Sequence, residues 1–343
     1  MLWRRLASFS AAVLLCSVGT ALGIDTIRTG KIGVLGNIQS IKRYEITIKE
    51  RDNDRVVSAG DIESVQLEGE PKELVKARSE LKNGQLEAAN KSLTGVELDA
   101  NVRAEVRAEH QFLRALAAAR LALAGEGSIA DAGTLMNGFL RENKESFHFT
   151  QASELLAELL MADGKAARAE PFFGQVAKAP WPEAKLAGAV GQGRALQAQG
   201  KFDLAQKAFE RGLKIEGDGP KVEALRLEAT LGQAVCLAQA GDAERGIKLI
   251  EEVLTKAPAD DTLLHAKAYN RLGDCYRLAK SPREAVLAYL HVDLVYFQNA
   301  DAHAEALAHL SKLWGELNRP DRASAAATLL RERYPRSPWT KQS

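Results

Sequence analysis

A ten-residue pattern recurs along this 343-residue chain and restricts its fold more than any other feature. Its clearest copy is "GKFDLAQKAF" (200–209). "GQLEAANKSL" (84–93), "GKAARAEPFF" (164–173), "GDAERGIKLI" (241–250), "KSPREAVLAY" (280–289) and "NRPDRASAAA" (318–327) follow the same template, and "GSIADAGTLM" (127–136) follows it more loosely. Each copy starts on a turn or polar residue and has a small residue at the sixth place, and most end on a larger apolar one. The small residues are Ala89, Ala132, Ala169, Ala205, Gly246, Ala285 and Ala323, spaced by 43, 37, 36, 41, 39 and 38 residues. Around the clearest copy, Gly191, Gly193 and Gly212 also interrupt a helix-rich stretch. Glycine inside a helix costs roughly 0.5–1 kcal/mol relative to alanine, so its recurrence implies that another helix lies very close. Gly191 and Gly212 fall outside the shared register.

The pattern starts only after residue 70. Residues 1–23, "MLWRRLASFSAAVLLCSVGTALG", have two arginines, an apolar run to Val18 and small residues at the end, the layout of a secretory signal peptide cleaved after Gly23. The apolar run is short for a membrane span. Without it 44 basic residues (46 less Arg4 and Arg5) face 45 acidic ones, which removes the electrostatic basis for nucleic-acid binding. The expected location is therefore periplasmic or otherwise extracytoplasmic, with no integral membrane anchor after cleavage.

Residues 24–70 read as a small β-rich domain. Tyr44, Ile46 and Ile48 alternate with polar residues, the period of a half-buried strand, and "RDND" (51–54) is a polar turn. Four or five such strands in so short a stretch fit a small barrel without open edges, similar to SH3-like or Sm-like barrels in strand count and length. Seven basic and nine acidic residues in this region argue against an RNA-binding role.

From 71 to 343 the expectation is a helical array. "HAKAYNRLGDCYRLAKSPREAVLAY" (265–289) carries Leu272-Gly273, Tyr276, Ala285 and Tyr289 in the order L-G-x-x-Y then A-x-x-x-Y. Pro258 and Pro335 stand where second helices end. This stretch resembles the tetratricopeptide repeat, and the resemblance covers residues from about Leu74 to Trp339. It implies a mostly α fold: a solenoid of six to seven helix pairs preceded by the small β-barrel-like domain. The spacing exceeds the usual ~34 residues, and the tryptophan near each repeat start is missing.

Cys236 and Cys275 fall at equivalent places of successive repeats, about 9–10 Å apart and too far for a disulfide, so both are expected as buried free thiols. "YLHVDLVYF" (289–297) is read as the core of a long second helix, with a hydrophobic docking patch as the alternative. His303 and His309 are read as surface or helix-face residues, since no metal-ligand spacing accompanies them. No H-E-x-x-H, G-x-S-x-G or Walker motif occurs, so the expectation is a chain that is not an enzyme and needs no cofactor or metal.

Tetratricopeptide repeats bind peptides through polar residues of each first helix. Carried over by register, that face comprises Arg194, Gln197, Gln239, Lys267, Asn270, Asp274, Arg277 and Lys312. Relatives that clamp a peptide carboxylate use a Lys/Asn/Arg set. Lys267 and Arg277 match it, but Asp274 stands where it needs asparagine, which points to a mixed-charge groove. The same face reads equally as a solvated helix surface. The resemblance implies an interaction scaffold for a protein or peptide in the bacterial cell envelope. The alternative is an accessory subunit of an envelope enzyme whose barrel touches cell-wall polymer.

Overall fold

The computed structural model describes residues 24–30 and 32–340, so the expected signal peptide lies outside the described residues. The chain opens with strands β1 (Asp25–Thr29), β2 (Ile32–Lys42), β3 (Glu45–Glu50), β4 (Asn53–Ser58) and β5 (Ser64–Gln66), paired antiparallel in the order β4-β3-β2-β1-β5. Ile46 and Ile48 of β3 are fully buried, as the alternation requires. β2 is long enough to serve two neighbours. Its first half pairs with β1 and its second half, from Asn37, pairs with β3, with a register shift between Ile38 and Ser40. Such a bulge bends a strand, and here it folds one sheet over a shared core. The sheet does not close, because β4 and β5 are not bonded to each other. The expected barrel without open edges is thus an open, bent sheet, whose β4 edge is guarded by Asn53, Asp54 and Arg55.

Asp25 ties this sheet to the helices. Its carboxylate accepts the N–H of Ile38 (2.9 Å), the N–H of Glu68 (2.8 Å) and the Arg103 guanidinium (2.8 and 3.3 Å). Burial alone would raise its pKa, but Arg103 and the two amides together hold it below the ordinary carboxylate range. Farther along, Arg43 donates to the Lys144 carbonyl at 3.0 and 2.9 Å, and Tyr44 meets Trp181 edge-on with ring centroids 5.8 Å apart. The sheet thus lies along the helical array as far as the fourth helix pair.

The array comprises α1 (Lys72–Lys82), α2 (Leu86–Thr94), α3 (Ala104–Leu123), α4 (Ile129–Glu142), α5 (Phe149–Ala162), α6 (Ala166–Val176) and α7 (Pro182–Ala198). It continues with α8 (Phe202–Leu213), α9 (Pro220–Gln239), α10 (Ala243–Lys256), α11 (Thr262–Leu278), α12 (Pro282–Val295), α13 (Ala300–Glu316) and α14 (Pro320–Arg333). These are seven pairs among the described residues. Every odd-numbered helix ends in the same way: Gln85, Glu126, Lys165, Lys201, Asp242, Ser281 and Arg319 each donate their N–H to the carbonyl five residues back, at 2.8–3.0 Å. That is the Schellman cap, which needs a left-handed residue just before the donor. Gly84, Gly125, Gly164, Gly200 and Gly241 supply it, as do Lys280 (φ 59°) and Asn318 (φ 56°). The turn residue of the loosest copy is Gly125 rather than Gly127, which explains its poor alignment.

The sixth-place residues Ala89, Ala132, Ala169, Ala205 and Ala285 are buried. Ala323 is half-buried, since no helix follows α14 among the described residues. The helix glycines have a different partner. A Cβ on Gly193 would sit 2.5 Å from the Phe209 ring, one on Gly232 2.2 Å from the same ring, and one on Gly191 2.1 Å from Phe173. Gly212 faces Leu186 and Ala189 at 3.1 and 3.2 Å, so all these glycines mark close approaches.

Gly232→Ala should therefore overpack the array and lower its stability by about 3 kcal/mol in urea unfolding, with recovery in Gly232→Ala/Phe209→Leu. Gly138, which has open space around its Cβ position in α4, is the contrast: Gly138→Ala should stabilise by about 0.5–1 kcal/mol. Equal destabilisation by the two alanines would contradict the aromatic clasp.

Candidate partner-binding groove

The odd-numbered helices stack side by side, and each turns a polar face the same way. The expected groove residues fall into two groups on this face. Arg194 of α7 is exposed and forms a bidentate pair with Glu158 of α5, at 2.7 and 3.2 Å. Lys267 of α11 pairs with Glu228 of α9. Gln239 at the end of α9 and Lys312 of α13 are exposed and make no hydrogen bond or ion pair among the described residues.

Two residues expected to face outward turn inward. Gln197 donates Nε2–H to the Gly232 carbonyl (2.8 Å) and to Cys236 Sγ (3.3 Å), bridging to the next helix at the point where Gly232 lets it come close. Asn270 is fully buried, and its Nδ2 donates to the Ala302 carbonyl and to Glu305 Oε2, both at 2.9 Å. The spacing between repeats places Asn270 under the start of α13, out of reach of a ligand.

Asp274 is the centre of a larger cluster. It accepts from Arg271 Nη1 (2.8 Å), Arg277 Nη1 (3.5 Å) and the Tyr289 hydroxyl (2.8 Å), while the other Arg271 nitrogen reaches Glu305. Burial works against the charge on Arg271, but Glu305 and Asp274 outweigh it and keep the guanidinium protonated. Burial pushes Glu305 above the usual carboxylate range, against the pull of Arg271 and Asn270. Asp274, standing where the carboxylate clamp wants asparagine, thus neutralises the arginines that such a clamp would employ. Glu158, Glu228 and Arg271 escaped the sequence reading, as did the bonds that Glu305 and Tyr289 make to Arg271 and Asp274. Their signal was a charge of opposite sign about one repeat away: Glu158 to Arg194, Glu228 to Lys267, Arg271 to Glu305.

The histidines are not surface residues. His303 is buried, joined to Asp293 and to the Tyr334 hydroxyl at 2.8 Å each. His309 stacks on Tyr289 with ring centroids 4.8 Å apart and lies 3.7 Å from Asp274. The aromatic run is divided: Tyr289 is fully buried, whereas Leu294 and Phe297 are exposed. Cys236 and Cys275 are buried free thiols, as expected, and burial pushes them up to about 11 and about 12, which leaves them unreactive near neutral pH. No group of three or more His, Cys, Asp and Glu is placed to hold a metal among the described residues.

Burial holds His309 down to about 4, with Arg277, Arg271 and Lys312 adding to the effect and Asp274 opposing it. A histidine depressed in the folded state favours folding at neutral pH and costs stability as pH falls. Unfolding free energy should fall by on the order of 2 kcal/mol between pH 6.5 and 4, and His309→Phe, which keeps the stack, should flatten that slope. An unchanged slope in the variant removes His309 as its source.

Comparison with known proteins agrees with this architecture. Residues 190–261 match the tetratricopeptide repeat family. The chain superposes on a tetratricopeptide repeat protein from Parabacteroides merdae with a TM-score of 0.60 at 14% identity, over 79% of this chain and 95% of that one. It is also similar to the apo form of the quorum sensor NprR from B. thuringiensis, with a TM-score of 0.57 at 12% identity, over 76% of this chain and 74% of that one. At such identities the likeness is one of fold. Comparison with curated proteins finds no match. The helices from α1 to α14 therefore form a solenoid with the fold of tetratricopeptide-repeat proteins, preceded by a small five-stranded sheet, and residues 190–261 carry the family's sequence pattern.

Proposed function

We propose that this protein is a non-enzymatic interaction scaffold of a bacterial cell envelope, exported through residues 1–23, which holds a protein or peptide partner on the polar face of its odd-numbered helices. The observation that carries this reading is the row of charges from α5 to α13, whose sign alternates from one odd-numbered helix to the next: Glu158, Arg194, Glu228, Lys267 with Arg271, and Glu305. Charge patterns of this kind select partners and orient them more than they tighten binding. The signal-peptide pattern of residues 1–23 supports the envelope location.

Pull-down from an envelope extract tests the groove. The triple variant Arg194→Glu/Lys267→Glu/Arg277→Glu should lose at least ten-fold of the captured partner. Swapping Glu228 and Lys267 keeps their ion pair and serves as the control for folding. Identical partner sets for the native and triple-variant chains remove the groove from the account.

A second reading makes the chain an accessory subunit of an envelope enzyme, with the β-sheet against cell-wall polymer. The exposed Leu35 and Val56, on the side of β2 and β4 away from the core, are the apolar side chains such a contact would use. Cosedimentation with purified peptidoglycan that weakens in Leu35→Glu is the expected result. A native chain that stays in the supernatant discards this reading.

A further inference from the structure

Arg336, just beyond α14, donates an Nη1–H to the carbonyl of Gly125, the turn residue between α3 and α4. The partners are 211 residues apart, and five helix pairs lie between them. In a solenoid each repeat touches only its neighbours, so a contact over this separation requires the second to seventh pairs to curve round until they meet.

Arg336 is not presented by a loose tail. The Tyr334 hydroxyl is held by His303 at 2.8 Å, the Thr340 hydroxyl donates to the Tyr334 carbonyl at 2.6 Å, and the N–H of Ser337 donates to the same carbonyl at 3.0 Å. The Trp339 ring rests against His309, centroids 5.5 Å apart. The segment is a braced turn whose arginine points across to another part of the array.

We propose that the array is a ring fastened by its own C-terminal segment, with Arg336 latched onto the Gly125 carbonyl, and that release of this latch moves the second and seventh pairs apart. The fastening lies outside the groove charges and stands apart from the identity of any partner.

Double electron–electron resonance tests it on the full chain, with spin labels on Ala130→Cys and Glu332→Cys, both exposed positions flanking the latch. Cys236 and Cys275 are buried and stay unlabelled, and Cys16 is replaced by serine. The chain with Arg336 should give one narrow distance peak, and Arg336→Glu should lose it to a longer, broader distribution. Arg336 is exposed, so circular dichroism should show unchanged helix content in that variant. A broad distribution with Arg336 in place overturns the proposal, as does the same narrow peak in Arg336→Glu. No partner is present in this measurement, so its failure is distinguishable from failure of the scaffold reading.

Discussion

An aromatic ring at the tenth place of three copies, seated in the clearest of them between two helices that have no side chain where they touch it, sets the geometry of the middle of the array. Phe209 of α8 is clasped by Gly193 of its own pair and by Gly232 of the next. Phe173 is met by Gly191 of the following pair, and Tyr289 is met by Gly273 on one side and by the His309 ring on the other. Two helix-interior glycines cost about 1–2 kcal/mol together, whereas truncating a buried Phe costs about 3–5 kcal/mol. The ring therefore outweighs the glycines. It also fixes how closely successive odd-numbered helices approach, and so the spacing at which their polar faces succeed one another.

The charges on those faces follow from the packing and do not cause it. Exposed or half-exposed pairs such as Arg194–Glu158 and Lys267–Glu228 contribute about 0–1 kcal/mol each. Their consequence is electrostatic patterning. Arg194, Lys267, Arg271 and Arg277 each already have an intramolecular anion, so a partner has to offer charges in matching register to displace them. Tyr289 joins the two layers, since its ring lies in the clasp while its hydroxyl binds Asp274. A change in the core at that point is transmitted to Arg271 and Arg277 through one carboxylate.

Much of this was legible in the sequence, and the parts that were not share a cause. The turn and sixth-place residues of the template reflect backbone constraints local to one helix pair, so a single chain reveals them. Lys280 and Asn318 were placed at the same turn, but their left-handed conformation was not legible, because a left-handed residue need not be glycine. Gly191 and Gly212 had no reading, because the atoms that exclude their side chains belong to other helices. The inward turn of Gln197 and Asn270, the burial of His303 and the half-burial of His309 likewise depend on what stacks over each residue. The open sheet differed from the expected barrel because closure depends on β4 meeting β5, and alternation within strands says nothing of that.

The end of the array shows how the clasp is brought to a stop. At the tenth place of the seventh copy stands Ala327, so α14 offers no ring for a further helix to seat. The aromatic cover is supplied instead by the segment beyond it, where Tyr334 meets His303 and Trp339 meets His309. A solenoid end without a neighbour exposes the apolar surface that the next repeat would bury. At the other end the sheet does the equivalent work, with Ile27, Val34, Ile46 and Ile48 in one continuous core with Leu74 and Ala77 of α1. Both ends are thus covered by non-repeat segments, and this leaves the row of charged helix faces between them as the repeated surface of the fold.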